Sequence, residues 1–291
     1  MALAEGLHSP AVAALGERGL LLFARDDAGA LSLRTHDGQE WAPARSLGAL
    51  GAHLEGPFTA CGTGDGAVHL LARGFDGELL HGIFRDPQWS GFDLIGVPSA
   101  AGVPMGLSTA PTACSRARGD MDVFAVNIAS ELLRAVWSEA GFTPFEPIGS
   151  APGAVAAAAC GSRDVALITR GATGDLSVKW WNGERWTGFS SLGAPEEDDV
   201  FYPGNPRRVP LSGAPICCGG GPTRLDTFAR GAGGDLLHKW WNGKAWSPFE
   251  SLGMPLGAPF TGASLACVWR KFRLDVFARA ADGRLYTRAV A

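Results

Sequence analysis

The stretch Leu225-Asp-Thr-Phe-Ala-Arg-Gly-Ala-Gly-Gly-Asp-Leu-Leu-His-Lys-Trp-Trp-Asn-Gly-Lys-Ala-Trp-Ser-Pro-Phe-Glu-Ser-Leu-Gly253 holds three short apolar runs separated by turn residues. Leu225 to Arg230 suits a strand. Gly231 to Gly234 offers the positive-φ positions that a tight hairpin turn needs. Leu236 to Trp241 reads as the return strand. Asn242-Gly243 is then a type I′ turn signal into a further strand, Trp246 to Leu252.

The same phrases recur along the chain. An apolar strand ends in Ala-Arg or a relative at Arg25, Arg73, Arg170, Arg230 and Arg279, and a sixth copy has Val126 in the Arg position. These six positions are 48, 53, 44, 60 and 49 residues apart. A Leu follows each turn, at 31, 79, 132, 176, 236 and 285, and a Trp or Phe preceding Ser-Leu-Gly or a relative closes five copies. Upstream of five copies lies a small-residue strand bearing Cys61, Cys114, Cys160, Cys218 or Cys267. Four antiparallel strands repeated about every 50 residues is the pattern of a β-propeller blade. The fold class is therefore all-β, a six-bladed propeller of repeats 44–60 residues long, forming one domain over residues 1–291. The sixth copy stops one strand short at Ala291, while a spare segment, Ala4 to Pro10, precedes the first. The N-terminal segment is predicted to supply the outer strand of the last blade and close the ring, since open sheet edges invite aggregation.

Composition excludes several functions. The chain has 25 basic against 29 acidic residues and no basic block, so nucleic acid is not an expected partner. No apolar run approaches the roughly 20 residues that span a bilayer. The first residues lack a signal-peptide pattern. Six cysteines without a pairing pattern suit a reducing compartment, so the expectation is cytoplasmic residence, or export without a recognisable signal peptide. Four of the cysteines lie 12 residues before the Arg-equivalent position, and Cys160 lies 10 before it. One shared slot on a crowded inner strand predicts packing, with the thiols reduced and buried. No metal and no cofactor is expected from these spacings.

Repetition also separates folding residues from candidate binding residues. Trp41, Trp89, Trp186 and Trp246 share one slot, with Phe142 standing in for the third copy. That reads as blade packing. The pairs Trp180-Trp181 and Trp240-Trp241 are confined to two copies, and Thr35, Ile83, Val136 and Ala289 fill their first slot elsewhere. Neighbouring strand residues point to opposite sheet faces, so Trp180 and Trp240 are candidate stacking platforms, with inter-blade packing as the other reading. Sugar rings present apolar faces to such indoles, and Arg170, Arg230, Asn182, Asn242 and His238 are candidate partners for hydroxyls. The Arg positions also have a structural reading, because Asp122, Asp226 and Asp275 stand four residues before them or their equivalent.

No catalytic motif is present: Gly-x-Ser-x-Gly, His-Glu-x-x-His and phosphate loops are all missing. Catalytic residues are therefore assigned to none, and the balance leans away from an enzyme. Two enlarged loops, 97–109 and 194–215, are expected on one face of the ring, where function is often grafted. The second carries Glu196-Glu-Asp-Asp199, Tyr202 and Arg207-Arg208, an acidic run that reads as a solvated loop.

The 225–253 repeat resembles that of the Photorhabdus-type bacterial β-propeller lectins, and Arg170 to Gly193 matches nearly as well. The resemblance implies pockets between blades for fucose or O-methylated sugars, with ligands that are glycans or small glycosylated molecules. Those lectins typically carry seven blades against six here. Six-bladed fucose lectins of the fungal and Ralstonia type are a second likeness, in architecture. Homo-oligomerisation is left open. The expectation is a lectin with few intact sites, centred on Trp180, Trp181, Trp240 and Trp241. The alternative is an enzyme or biosynthetic accessory with one pocket at the axial mouth.

Overall fold

The computed structural model describes residues 2–5, 7–15, 19–51, 54–100, 102–160, 164–198, 206–254, 258–270 and 273–290. Every regular element among them is a β-strand, and no helix is long and apolar enough to cross a membrane. The strands form six antiparallel blade sheets and two two-stranded hairpins, and in the first five blades chain order runs from an inner to an outer strand. The first blade is Leu7–Leu15, Gly19–Asp26, Ala30–His36 and Arg45–Ala49. The second is Leu54–Gly62, Val68–Gly74, Leu79–Arg85 and Asp93–Gly96. The third is Thr112–Cys114, Met121–Val126, Glu131–Ser138 and Glu146–Ser150. The fourth is Val155–Cys160, Asp164–Arg170, Leu176–Trp181 and Ser190–Gly193. The fifth is Ser212–Gly221, Arg224–Arg230, Leu236–Trp241 and Glu250–Ser251. Phe260–Arg270, Arg273–Ala280 and Arg284–Val290 build the sixth. Each inner strand lies against the inner strands of both neighbours, so the six close into a ring. The chain is a six-bladed β-propeller.

The outer strand of the sixth blade is Ala2–Glu5, paired antiparallel with Arg284, Leu285 and Tyr286. The expected closure is present, but the strand ends sooner than the spare segment ending at Pro10 suggested. Leu7 and His8 already pair with Asp26 and Arg25, in the inner strand of the first blade. The N-terminal segment therefore passes directly from the last blade into the first.

Hydrophobic side chains fill the layers between sheets. The Phe two residues before the Arg position or its equivalent, at 23, 124, 228 and 277, is completely buried in four blades. Each such ring stabilises the stack by about 1.5–3 kcal/mol relative to exposure. Alternation sends successive strand residues into the two neighbouring clefts. Thus Val123 and Ala125 pack toward the second blade, while Phe124 and Val126 pack toward the fourth.

The repeated Arg fastens one blade to the next. Arg73 Nε donates to the Leu107 carbonyl at 2.5 Å, Arg170 Nε to Gly213 at 3.0 Å and Arg230 Nη1 to Phe260 at 3.1 Å. These carbonyls belong to the segments that enter the following blade. The turn glycine of the same repeat completes the fastening: Leu211 N donates to Gly174 O at 2.9 Å and Phe260 N to Gly234 O at 2.7 Å. Gly234 has φ +84°, and a Cβ there would come within 2.5 Å of the Pro259 Cβ. Glycine is needed for both the conformation and the close approach.

Cys61 and Cys114 are buried, while Cys217 and Cys218 are half-buried. Burial, with the Asp122 charge adding to it, pushes the Cys61 thiol up to about 12, which keeps it protonated and inert. The side chains of Cys160 and Cys267 lie outside the described set. The enlarged loops form hairpins, Ser99–Ala100 with Val103–Pro104 and Glu196–Asp198 with Pro206–Arg208. Asp199 and Tyr202 lie outside the described residues.

Candidate functional site: the clefts between blades

Each cleft receives an equivalent pair of positions from the second and third strands of one blade. The pairs are Leu21 and Leu33, His69 and His81, Asp122 and Arg134, Ala166 and Val178, Asp226 and His238, and Asp275 and Thr287. Aromatic side chains from the next blade face several of these pairs. Four clefts therefore carry polar pairs and two carry apolar ones. The skeleton tolerates both, so polarity here is not a folding requirement.

Between the third and fourth blades, buried Asp122 takes Arg116 Nε at 2.6 Å and Arg134 Nε at 2.8 Å. Arg134 Nη1 also donates to Glu146 Oε1 at 2.7 Å, and its guanidinium lies over the Trp181 ring, 5.9 Å from the centroid. Burial works against the Arg134 charge, but the bonds to Glu146 and Asp122 outweigh it and raise its pKa. Trp186 meets Phe124 edge-on in the same cleft.

Between the fifth and sixth blades, His238 is almost fully buried and stands between two carboxylates. Its Nε2 is 2.8 Å from Asp226 Oδ1 and its Nδ1 is 2.8 Å from Glu250 Oε1. Phe228 stacks on the imidazole at 4.5 Å and Trp240 at 5.1 Å. Arg224 reaches over Trp240, 5.3 Å from its centroid, while bonding Asp226 with two nitrogens.

The second cleft contains a contact that the scattered histidines of the sequence did not announce. His69 Nδ1 lies 2.9 Å from His81 Nε2, against Trp137 and Phe142. Burial holds both imidazoles down at about 4, with the neighbouring His81 adding to the effect on His69. A folded pKa below the unfolded value of about 6.5 means that the unfolded chain binds more protons between those limits. Stability is then complete above about pH 6.5 and declines as pH falls toward 4. The loss is on the order of 3 kcal/mol for each imidazole. Because the first blade carries Leu21 and Leu33 in these slots, a His69→Leu/His81→Leu variant should fold. Thermal midpoints measured from pH 7 to pH 4 should fall less steeply for this variant than for wild type. Parallel curves would exclude the pair as the origin of acid sensitivity.

The residues singled out in the sequence occupy several different clefts. Trp180 and Trp241 face each other between the fourth and fifth blades, 6.1 Å apart, with Trp246 beside Trp241. Trp181 and Trp240 are the half-buried indoles of the clefts already described. Each Trp pair thus splits across two clefts, as strand alternation requires. Arg170 and Arg230 use their guanidinium groups on backbone carbonyls and on Ser212. Asn182 accepts from Glu184 N and Arg185 N, and Asn242 from Lys244 N and Ala245 N, so both side chains build their own turns.

A cavity of about 840 Å³ opens between the sixth and first blades. Trp41 stands in its wall, half-buried, with Phe277 against it edge-on at 5.8 Å and His36 at 4.9 Å. Arg34 lies over the indole at 5.9 Å from the centroid. Gln39, Glu40, Asp275 and Thr287 supply further polar groups to the same space. Sequence reasoning took Trp41 for a packing residue. Only Arg34 in the His238-equivalent strand and the neighbouring Gln39-Glu40 hinted at a polar wall. Among the described residues, no group of three or more His, Cys, Asp or Glu side chains is placed to hold a metal ion.

No protein-family model matches the chain, and no curated protein matches it. Solved structures do match over its whole length. A single-site mutant of the Aleuria aurantia lectin, in complex with α-methyl-L-fucoside, is 16% identical at TM-score 0.69, covering 99% of this chain and 93% of its own. The BP39L lectin of Burkholderia pseudomallei is 20% identical at TM-score 0.64, covering 99% and 97%. AofleA of Arthrobotrys oligospora is 15% identical at TM-score 0.66, covering 99% and 84%. What these proteins share with this chain is the fold, and the Aleuria protein is described as a fungal lectin with a six-bladed β-propeller fold and a novel fucose recognition mode. The six-blade count thus agrees with the Aleuria aurantia lectin rather than with the seven blades typical of the Photorhabdus type.

Proposed function

We propose that this protein is a carbohydrate-binding lectin whose sites are the Trp-lined clefts between blades, taking fucose-like or O-methylated sugars. The observation that carries the reading is the cavity between the sixth and first blades. It joins a half-buried indole, Trp41, to Arg34, Glu40, Gln39 and Asp275 in a space large enough for a sugar. Pyranose C–H faces stack on an indole, while guanidinium, amide and carboxylate groups bond the hydroxyls. The likeness in fold to a lectin crystallised with α-methyl-L-fucoside supports fucose as the first sugar to test. The cavity lies between blades and not on the ring axis, which favours this reading over an enzyme with an axial pocket. The Trp180–Trp241 cleft and the Trp240 cleft are further candidate sites of the same kind.

The test is a glycan array that includes fucosylated and O-methylated glycans, run on wild type, Trp41→Ala and Trp180→Ala/Trp240→Ala. Loss of a stacking platform costs on the order of 1–3 kcal/mol by analogy with base stacking. Trp41→Ala should therefore bind about 5- to 150-fold more weakly, with a native circular dichroism spectrum. Wild-type affinity in that variant would move the principal site to the clefts that the double variant removes. An array with no bound glycan would overturn the lectin reading.

A further inference from the structure

The cavity touches both faces of the sixth blade. Its walls include the consecutive residues Asp275 and Val276, and the run Tyr286, Thr287, Arg288 and Ala289. Successive strand residues point to opposite faces, so the space wraps around the third strand of this sheet. On one side Phe277 meets Trp41 of the first blade. On the other, Val276, Ala278 and Tyr286 pack with Phe260 and Leu236 of the cleft toward the fifth blade.

The two halves differ in chemistry. The side toward the first blade carries Trp41 with Arg34, Gln39, Glu40, Asp275 and Thr287. The side toward the fifth blade is walled by Leu236, Leu252, Phe260, Val276 and Ala278. Its polar groups are engaged: the Tyr286 hydroxyl donates to Asp282 Oδ2 at 2.6 Å, and Arg288 donates to the Leu252 carbonyl. Met254 stands at its mouth, 43% exposed. At about 840 Å³ the whole cavity lies toward the upper end of the roughly 300–1,000 Å³ range of small-molecule sites.

We propose that this cavity binds an amphipathic glycoside, its sugar against Trp41 and its apolar aglycone passing around the sixth blade onto Met254 and Phe260. The inference rests on the lectin reading and names the ligand class. A second sugar is the poorer match for the far half, because its hydroxyls would enter an apolar space with few free partners. An alkyl or aryl group fits the same walls and covers the exposed methionine.

Isothermal titration with methyl α-L-fucoside, octyl α-L-fucoside and 1-octanol tests this on wild type and Met254→Asp. Wild type should bind the octyl fucoside at least tenfold more tightly than the methyl fucoside. Met254→Asp should lose most of that gain and keep its methyl fucoside affinity. Equal affinities for the two fucosides in wild type would overturn the proposal while leaving the lectin reading intact. A preserved tenfold gain in Met254→Asp would place the alkyl chain elsewhere and also overturn it. Binding of octanol as tight as that of the octyl fucoside would mean an apolar cleft unconnected to sugar, which overturns it too. Failure of both fucosides to bind would reject the fucoside reading and, with it, this one.

Discussion

Asp226→Ala should destabilise the protein by about 1–3 kcal/mol, lowering the thermal midpoint by roughly 5 °C. Asp226 is completely buried and receives Arg224 Nε at 2.8 Å and Arg224 Nη2 at 2.7 Å. The imidazole of His238, only 1% exposed, meets the same carboxylate at 2.8 Å. Removing the carboxylate takes away the acceptor of two bonds from Arg224, whose side chain is 28% exposed, and leaves a ring nitrogen of the buried His238 facing a void. Such truncations cost more than the intact network contributes, because the desolvated partners stay behind. Trp240 rests on both His238 and Arg224, so its fluorescence should shift with the loss. The informative control is Asp226→Leu/His238→Leu. Leu21 and Leu33 occupy these slots in the first blade, so the paired apolar replacement should be much milder than the single alanine. Equal losses in the two variants would show that the charged network is not what Asp226→Ala breaks.

Deleting residues 1–5 should have the other large effect. Ala2–Glu5 is the outer strand of the sixth blade, and the chain runs from it into the inner strand of the first. That route joins the two ends of the ring through one continuous backbone. Without it, the Arg284–Tyr286 edge of the third strand is bared, and the sixth blade is held to the first by side-chain packing. Exposed strand edges template association. The truncated protein should melt well below wild type and form soluble aggregates on size-exclusion chromatography as concentration rises. A monomer with the wild-type midpoint would show that the N-terminal strand does not seal the ring.

Most of the fold was legible in the residues. Hairpin glycines, Asn-Gly turns and strand alternation act over two to six residues, so each blade announces itself locally. Six copies at a period near 50 then count the blades, and the missing outer strand of the sixth copy anticipates Ala2–Glu5. The exact end of that strand was less visible, because Leu7 and His8 suit an outer strand or an inner one equally well. Their pairing with Asp26 and Arg25 depends on the neighbouring blade.

The site was legible only in its parts. Repetition drew attention to Trp180, Trp181, Trp240, Trp241 and His238, yet each Trp pair divides between two clefts. It also marked the Ala-Arg ending without revealing that Arg170 and Arg230 grip carbonyls of the following blade. Nothing in the repeat pattern pairs His69 with His81, because their meeting requires diagonal placement on two paired strands. The cavity is the extreme case, since Trp41 and Asp275 stand at opposite ends of the chain. Strand type and turn chemistry are properties of neighbouring residues, whereas a cleft is defined by which two sheets closure brings face to face. Only a ring that joins its last blade to its first can place Trp41 beside Asp275.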